Sequence, residues 1–152
     1  MQHTLRIDPN AQLGPATVLE DEGERLLLAA ASVEDATMRL VARSADLENQ
    51  ALAEVARFET QRVLVMDALA RMHAAELTGT MADMPRDRFL SAEQEKQRLW
   101  ANVESLWADS RRCLLWASDR RARTERMRDE ASRLFEQAML LRYVTPTACS
   151  AA

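Results

Sequence analysis

The side chains that most often carry out catalysis are few in this sequence and do not form a catalytic pattern. The two histidines are His3 and His73, and the two cysteines are Cys113 and Cys149. None of them stands beside a second ligand at the spacing that metal sites use, and no glycine-rich phosphate loop or nucleophile motif is present. The sequence therefore predicts a protein that is not an enzyme, with no catalytic residues, no metal ligands and no cofactor.

A run of arginines could instead form a nucleic-acid interface through phosphate contacts. The run consists of Arg111, Arg112, Arg120, Arg121, Arg123, Arg126, Arg128 and Arg133. Acidic residues such as Asp119 and Glu125 interrupt it, and the net charge of the chain is -4. The preceding half of the chain also offers carboxylates, including Glu34 and Glu48. Ion pairs between two helices are therefore the preferred interpretation, and nucleic acid is not the expected partner.

These arginines lie within a heptad repeat that runs from Leu99 to Leu141. Its steps alternate between four and three residues without a slip, which is typical of a helix that packs along one stripe. Larger side chains alternate with smaller ones along this stripe. The larger set is Leu99, Leu106, Cys113, Arg120, Met127, Leu134 and Leu141. The smaller set is Val103, Ser110, Ala117, Thr124, Ala131 and Ala138.

The same repeat runs from Leu19 to Ala75, so the sequence predicts an all-α fold: a long antiparallel two-helix coiled-coil hairpin over residues 15–144. Pro15 suits a first helical position, and Gly79 suits the residue after a helix end. Ser91 and Gln94 form a capping box. We therefore expect helices at 15–77 and 91–144, a loop at 78–90, a flexible lead-in at 1–14 and a flexible tail at 145–152.

Two variants of this fold stay open. Gly23 weakens a helix, and Ser32 with Asp35 could restart one, so the first residues could form a short extra N-terminal helix. Alternatively, two hairpins could dimerise into a four-helix bundle.

The register of the hairpin can be predicted by placing Met72 opposite Leu99. Ser44 then lies opposite Met127, and most layers combine one large and one small side chain. Glu54 and Arg120 fall in adjacent layers, where they could pair and fix the register. Alternatively, Arg120 extends to water and Glu54 lies at a partly open edge.

More apolar side chains are present than one hairpin seam requires. Trp100, Trp107 and Leu114 repeat every seven residues beside the seam. The other protein-interaction candidates are Trp116, Met81, Met84 and Phe89. Such a surface could be covered by a second copy, by the N-terminal segment or by a different protein.

The sequence also indicates the cellular compartment of the protein. No apolar run approaches the roughly 20 residues of a membrane span, and the first twenty residues lack the apolar core of a signal peptide. Two cysteines, one of them on the seam, are typical of a reduced intracellular protein. The expected location is the cytoplasm.

The chain has about 150 residues and two long heptad helices, Leu19 to Leu77 and Leu99 to Leu141. This architecture resembles the FliJ/YscO-type stalk proteins of flagellar and type III secretion export machines. The resemblance implies a bacterial, non-enzymatic coiled-coil adaptor or stalk that contacts an export ATPase or an export gate component. The alternatives are a self-assembling structural or secreted helical subunit, including a homodimer, and a nucleic-acid-binding regulator.

Overall fold

A computed structural model describes residues 14–80 and 83–144 and contains two helices, α1 (Pro15–Thr78) and α2 (Asp83–Val144). The helices pack against each other as a hairpin, and the described residues include no strand. The predicted all-α two-helix hairpin is therefore confirmed. Residues 1–13 and the predicted tail at 145–152 lie outside the described part of the chain.

Helix α1 starts at Pro15, as predicted, and runs without interruption. The carbonyl of Gly14 accepts hydrogen bonds from the amides of Thr17 and Val18 at 2.9 and 3.3 Å. A proline costs nothing at the first helical position because its missing N–H would have no intrahelical partner. The helix continues through Gly23 and Ser32, so the variant with a separate N-terminal helix is wrong.

The turn between the helices is shorter than predicted. Gly79 has a φ of +66°, and the amide of Thr80 donates to the carbonyl of Ala75 at 3.2 Å, which closes α1 as the sequence indicates. Helix α2 then begins at Asp83 instead of residue 91. Pro85, which was assigned to the loop, lies in the first turn of α2, where no backbone N–H is needed. The predicted loop at 78–90 is therefore wrong beyond its first few residues.

Two compact units make up the chain, and the described part of the first comprises residues 14–38 and 118–144. Its buried residues are the smaller members of the two heptad repeats. They are Gly23, Ala30, Thr37, Thr124, Ala131 and Ala138. Two ion pairs join the helices in this unit, Glu34 with Arg128 and Glu20 with Arg142, both at 2.6 Å. The first of these confirms the prediction that carboxylates of α1 pair with arginines of the α2 run.

The second unit, Arg39–Ala117, contains a polar layer in its core. The hydroxyls of Ser44 and Ser110 lie 2.8 Å apart and are buried. Ser110 also contacts the Glu48 carboxylate at 3.1 Å. Because Ser110 has one hydroxyl hydrogen and gives it to Glu48, Ser44 is the donor between the two serines. The buried hydroxyls of this layer therefore each have a hydrogen-bond partner.

The predicted register is wrong. Ser44 lies against Ser110 and not against Met127, and the Gln61 side chain donates to the carbonyl of Ala92 at 2.9 Å. The partner of Ser44 is thus displaced by about five turns along α2. The short turn causes the displacement, because α2 starts earlier and its first turns already pack against α1.

Small residues meet small residues in this layer, which also contradicts the predicted pairing of large with small. The Ser44 hydroxyl lies 3.4 Å from the backbone carbonyl oxygen of Ser110, so the helices approach closely. The Glu54–Arg120 pair depended on the rejected register. Glu54 instead forms an ion pair with Arg57 at 2.8 Å, and Arg120 is exposed.

Candidate protein-interaction surface

An aromatic cluster lies on the surface of the second unit. We call Phe58, Trp100, Trp107 and Leu114 the aromatic stripe. The ring centroids of Phe58 and Trp100 are 5.1 Å apart, and those of Trp100 and Trp107 are 6.1 Å apart with the rings nearly perpendicular. The perpendicular Trp100–Trp107 pair is a preferred edge-to-face arrangement, and the Phe58–Trp100 pair is tilted at 49°. Trp100, Trp107 and Leu114 nevertheless keep 39%, 36% and 45% of their surface exposed.

Helical periodicity explains why the stripe is continuous. Its three α2 members are seven residues apart, so they project from one side of the helix beside the buried positions Val103 and Ser110. Those buried side chains are small or medium in size and cannot cover the neighbouring indoles. The stripe is therefore held in place by regular secondary structure and remains open to solvent.

Polar groups fix the orientation of the first indole. The Trp100 indole N–H donates to the Glu104 carboxylate at 3.0 Å, one turn further along α2. A groove beside this contact is lined by Phe58, Glu59, Lys96, Gln97, Trp100, Ala101 and Glu104. The mixture of aromatic and polar side chains in this lining is suited to a side chain of another protein.

One ion pair borders this groove. The Lys96 ammonium lies 2.8 Å from the Glu93 carboxylate. The hydrogen bond from Lys96 is the main reason that the pKa of Glu93 is lowered from 4.5, and burial opposes it. Glu93 is ionised at neutral pH, and its carboxylate offsets the positive charge of Lys96 at the edge of the groove.

The remaining interaction candidates are not all on this surface. Trp116 is exposed, but it follows Leu114 by two residues and so points about 200° around the helix from it. Met84 is exposed and Phe89 is half-buried. Met84 lines a cleft near the turn with Ala68, Pro85 and three charged residues. Met81 lies outside the described residues.

Sequence reasoning missed two members of this site. Phe58 falls on the heptad repeat that runs from Leu19 to Ala75 and so belonged to the predicted seam, yet its ring packs against Trp100. Glu104 was not singled out, although its position four residues after Trp100 places both on one helix face. That spacing was the available signal.

The residues considered for catalysis are dispersed. Cys113 is buried and His73 is exposed. Within residues 14–80 and 83–144, no group of three or more histidine, cysteine or acidic residues is placed to hold a metal ion.

Two arginines of the α2 run make local contacts: Arg112 pairs with Asp109, and Arg126 donates to the carbonyl of Ala122 at 3.2 Å. With the Glu34–Arg128 pair, these contacts engage part of the run within the chain.

Neither helix, over the described residues, has a segment long and apolar enough to cross a membrane. Comparisons with known protein families, with curated proteins and with solved structures find no match.

Proposed function

We propose that this chain is a non-enzymatic coiled-coil adaptor or stalk that binds other proteins through the aromatic stripe. The observation that carries the proposal is the exposure of Trp100 and Trp107, which pack edge to face and still keep more than a third of their surface open. Tryptophan is a frequent anchor of protein interfaces, because it buries a large area at a low entropic cost.

The finer version of this proposal places the chain in the bacterial cytoplasm as part of a flagellar or type III secretion export apparatus. It is supported by the resemblance of a two-helix hairpin of this length to FliJ/YscO-type stalk proteins. In that setting the chain would contact an export ATPase or an export gate component.

Site-specific photo-crosslinking in the source cell tests the proposal. A photoreactive phenylalanine analogue at Leu114 should give a discrete protein adduct, because this position is on the stripe. The same analogue at Leu28 is the matched control, since Leu28 is also a helical leucine and is more exposed, at 74% compared with 45%.

An adduct at Leu114 and none at Leu28 would support a protein-binding stripe. Equal labelling at both positions, or none at either, would refute it. Mass spectrometry of the adduct identifies the partner, and an ATPase or export gate component would support the finer version.

A further inference from the structure

On the exposed face of α2 that carries the stripe, apolar residues are placed symmetrically about Trp107, and the two sides of Trp107 carry opposite charges. Along this face the order is Trp100, Glu104, Trp107, Arg111 and Leu114. Trp107 is at the centre, with an apolar residue seven positions away on either side. On this face Glu104 lies three residues before the centre and Arg111 lies four residues after it, and their charges have opposite sign.

The two charges form no ion pair with any residue that the structure describes. Over the described residues, neither Glu104 nor Arg111 forms an ion pair, and Glu104 accepts only the indole N–H of Trp100. Nearby Asp109 and Arg112, by contrast, satisfy each other. Glu104 and Arg111 are about 10 Å apart along the helix axis, which is too far for them to pair with each other.

We infer that the partner of the aromatic stripe is a second copy of this chain, docked with its α2 antiparallel to the first. Trp107 then packs near the twofold axis, and Trp100 packs against the partner's Leu114. The same alignment brings Glu104 to the partner's Arg111 and, by symmetry, Arg111 to the partner's Glu104. The two isolated charges become two equivalent ion pairs.

The direction of docking follows from the charges. A parallel alignment would place Glu104 beside the partner's Glu104, which is repulsive. The antiparallel alignment is also the isologous contact that a twofold dimer requires, because the same patch is used on both copies. Val55 of α1 is half-buried and occupies the heptad position equivalent to that of Trp100, and the observed pairing of the helices places it at the same height, so it adds apolar area there.

This inference rests on the proposal that the stripe binds protein, and it specifies the partner. Charge reversal tests it in the intact chain, using sedimentation equilibrium from about 1 to 100 µM, a range that covers dimers of moderate affinity. Wild-type protein should be a dimer. Glu104→Arg and Arg111→Glu should each raise the dimer dissociation constant by about tenfold or more, because each change places like charges together at two symmetric sites.

The double variant Glu104→Arg/Arg111→Glu is the decisive measurement. It exchanges the two signs, so an antiparallel dimer regains both ion pairs. Because Glu104→Arg also removes the acceptor of the Trp100 indole N–H, recovery is judged against that single variant, and the dissociation constant of the double variant should be at least about threefold lower. Arg123→Glu is the charge-matched control on the same helix and should leave the constant unchanged. Circular dichroism verifies that each variant remains helical, as expected for substitutions at exposed positions.

A wild-type monomer at about 100 µM would overturn the inference. So would a dimer that none of these substitutions weakens, or single variants that the double variant does not rescue. The proposed function fails separately: if the chain is monomeric but Leu114 crosslinks to another protein, only the self-docking is wrong. If the chain is monomeric and Leu114 gives no adduct, both are wrong.

Discussion

Replacing Gly23 by alanine introduces two opposing effects, and the structure allows their sizes to be compared. Alanine is preferred over glycine inside a helix by about 1 kcal/mol. Its Cβ atom, however, would lie 2.8 Å from Cζ of Phe135 and 3.0 Å from Cε1, closer than van der Waals contact allows. Overpacking of this kind costs about 1–3 kcal/mol, and the half-buried Phe135 ring can move, which favours the lower end. We expect Gly23→Ala to leave stability unchanged or to lower it by up to about 2 kcal/mol.

A double-mutant cycle with Phe135→Ala isolates the steric effect. Without the ring, Gly23→Ala should stabilise the protein by about 1 kcal/mol, so the coupling between the two sites should be at least about 1 kcal/mol. Urea denaturation of the four proteins at one fixed concentration measures it, since any self-association makes stability depend on concentration. If Gly23→Ala stabilises both backgrounds equally, the ring does not occupy the space beside Gly23 and the reasoning is refuted.

Three further predictions concern the second unit. In a background without native cysteines, Ser44→Cys/Ser110→Cys should form an intramolecular disulfide, seen as faster migration without reductant; a link only between chains would contradict the observed pairing. Ser44→Ala should lower the free energy of unfolding, measured by urea denaturation, by about 1 kcal/mol. Ser44→Ala/Ser110→Ala should lower it by less than the sum of the two single changes, because both polar partners are removed; additive losses would contradict this. Lys96→Gln should raise the pKa of Glu93 toward 4.5 in an NMR titration and leave Glu95, whose hydrogen bonds come from Arg98, unchanged. A Glu93 titration that the substitution leaves unchanged would contradict this assignment. Because the folded pKa of Glu93 is lowered, its contribution to the free energy of unfolding is present above pH 4.5 and is lost as pH falls through the folded pKa.

The heptad pattern predicted which residues face the seam, because helical periodicity is encoded every few residues. All the smaller members of both repeats up to Ala51 and from Val103 onward are buried. Arg120 is the exception among the larger members and is exposed. A short polar or charged side chain at a single heptad position does not disturb the period, so the prediction of the fold survives this exception.

The register could not be obtained from the pattern alone. Sliding α2 along α1 keeps apolar stripes in contact, and alternating large and small residues allow either large–small or small–small layers. The length of the turn decides between them, and Pro85 was misleading because a proline is tolerated in the first turn of a helix as well as in a loop. The hydrogen bonds between Ser44 and Ser110 depend on this register and were therefore not predicted.

The packing of small residues also explains why an apolar surface remains outside the seam of the second unit. Ser44 and Ser110 bring the helix backbones together, as the 3.4 Å approach of the Ser44 hydroxyl to the Ser110 carbonyl indicates. Closely spaced helices fill their interface with few atoms at this layer, so the bulky indole of the nearby Trp107 cannot enter it and remains beside it. A layer built on large seam residues would have wider spacing and could cover more of this ring. The narrow seam at this layer and the exposure of Trp107 are thus two consequences of the same choice of small residues, which favours a helical partner that completes the core from outside.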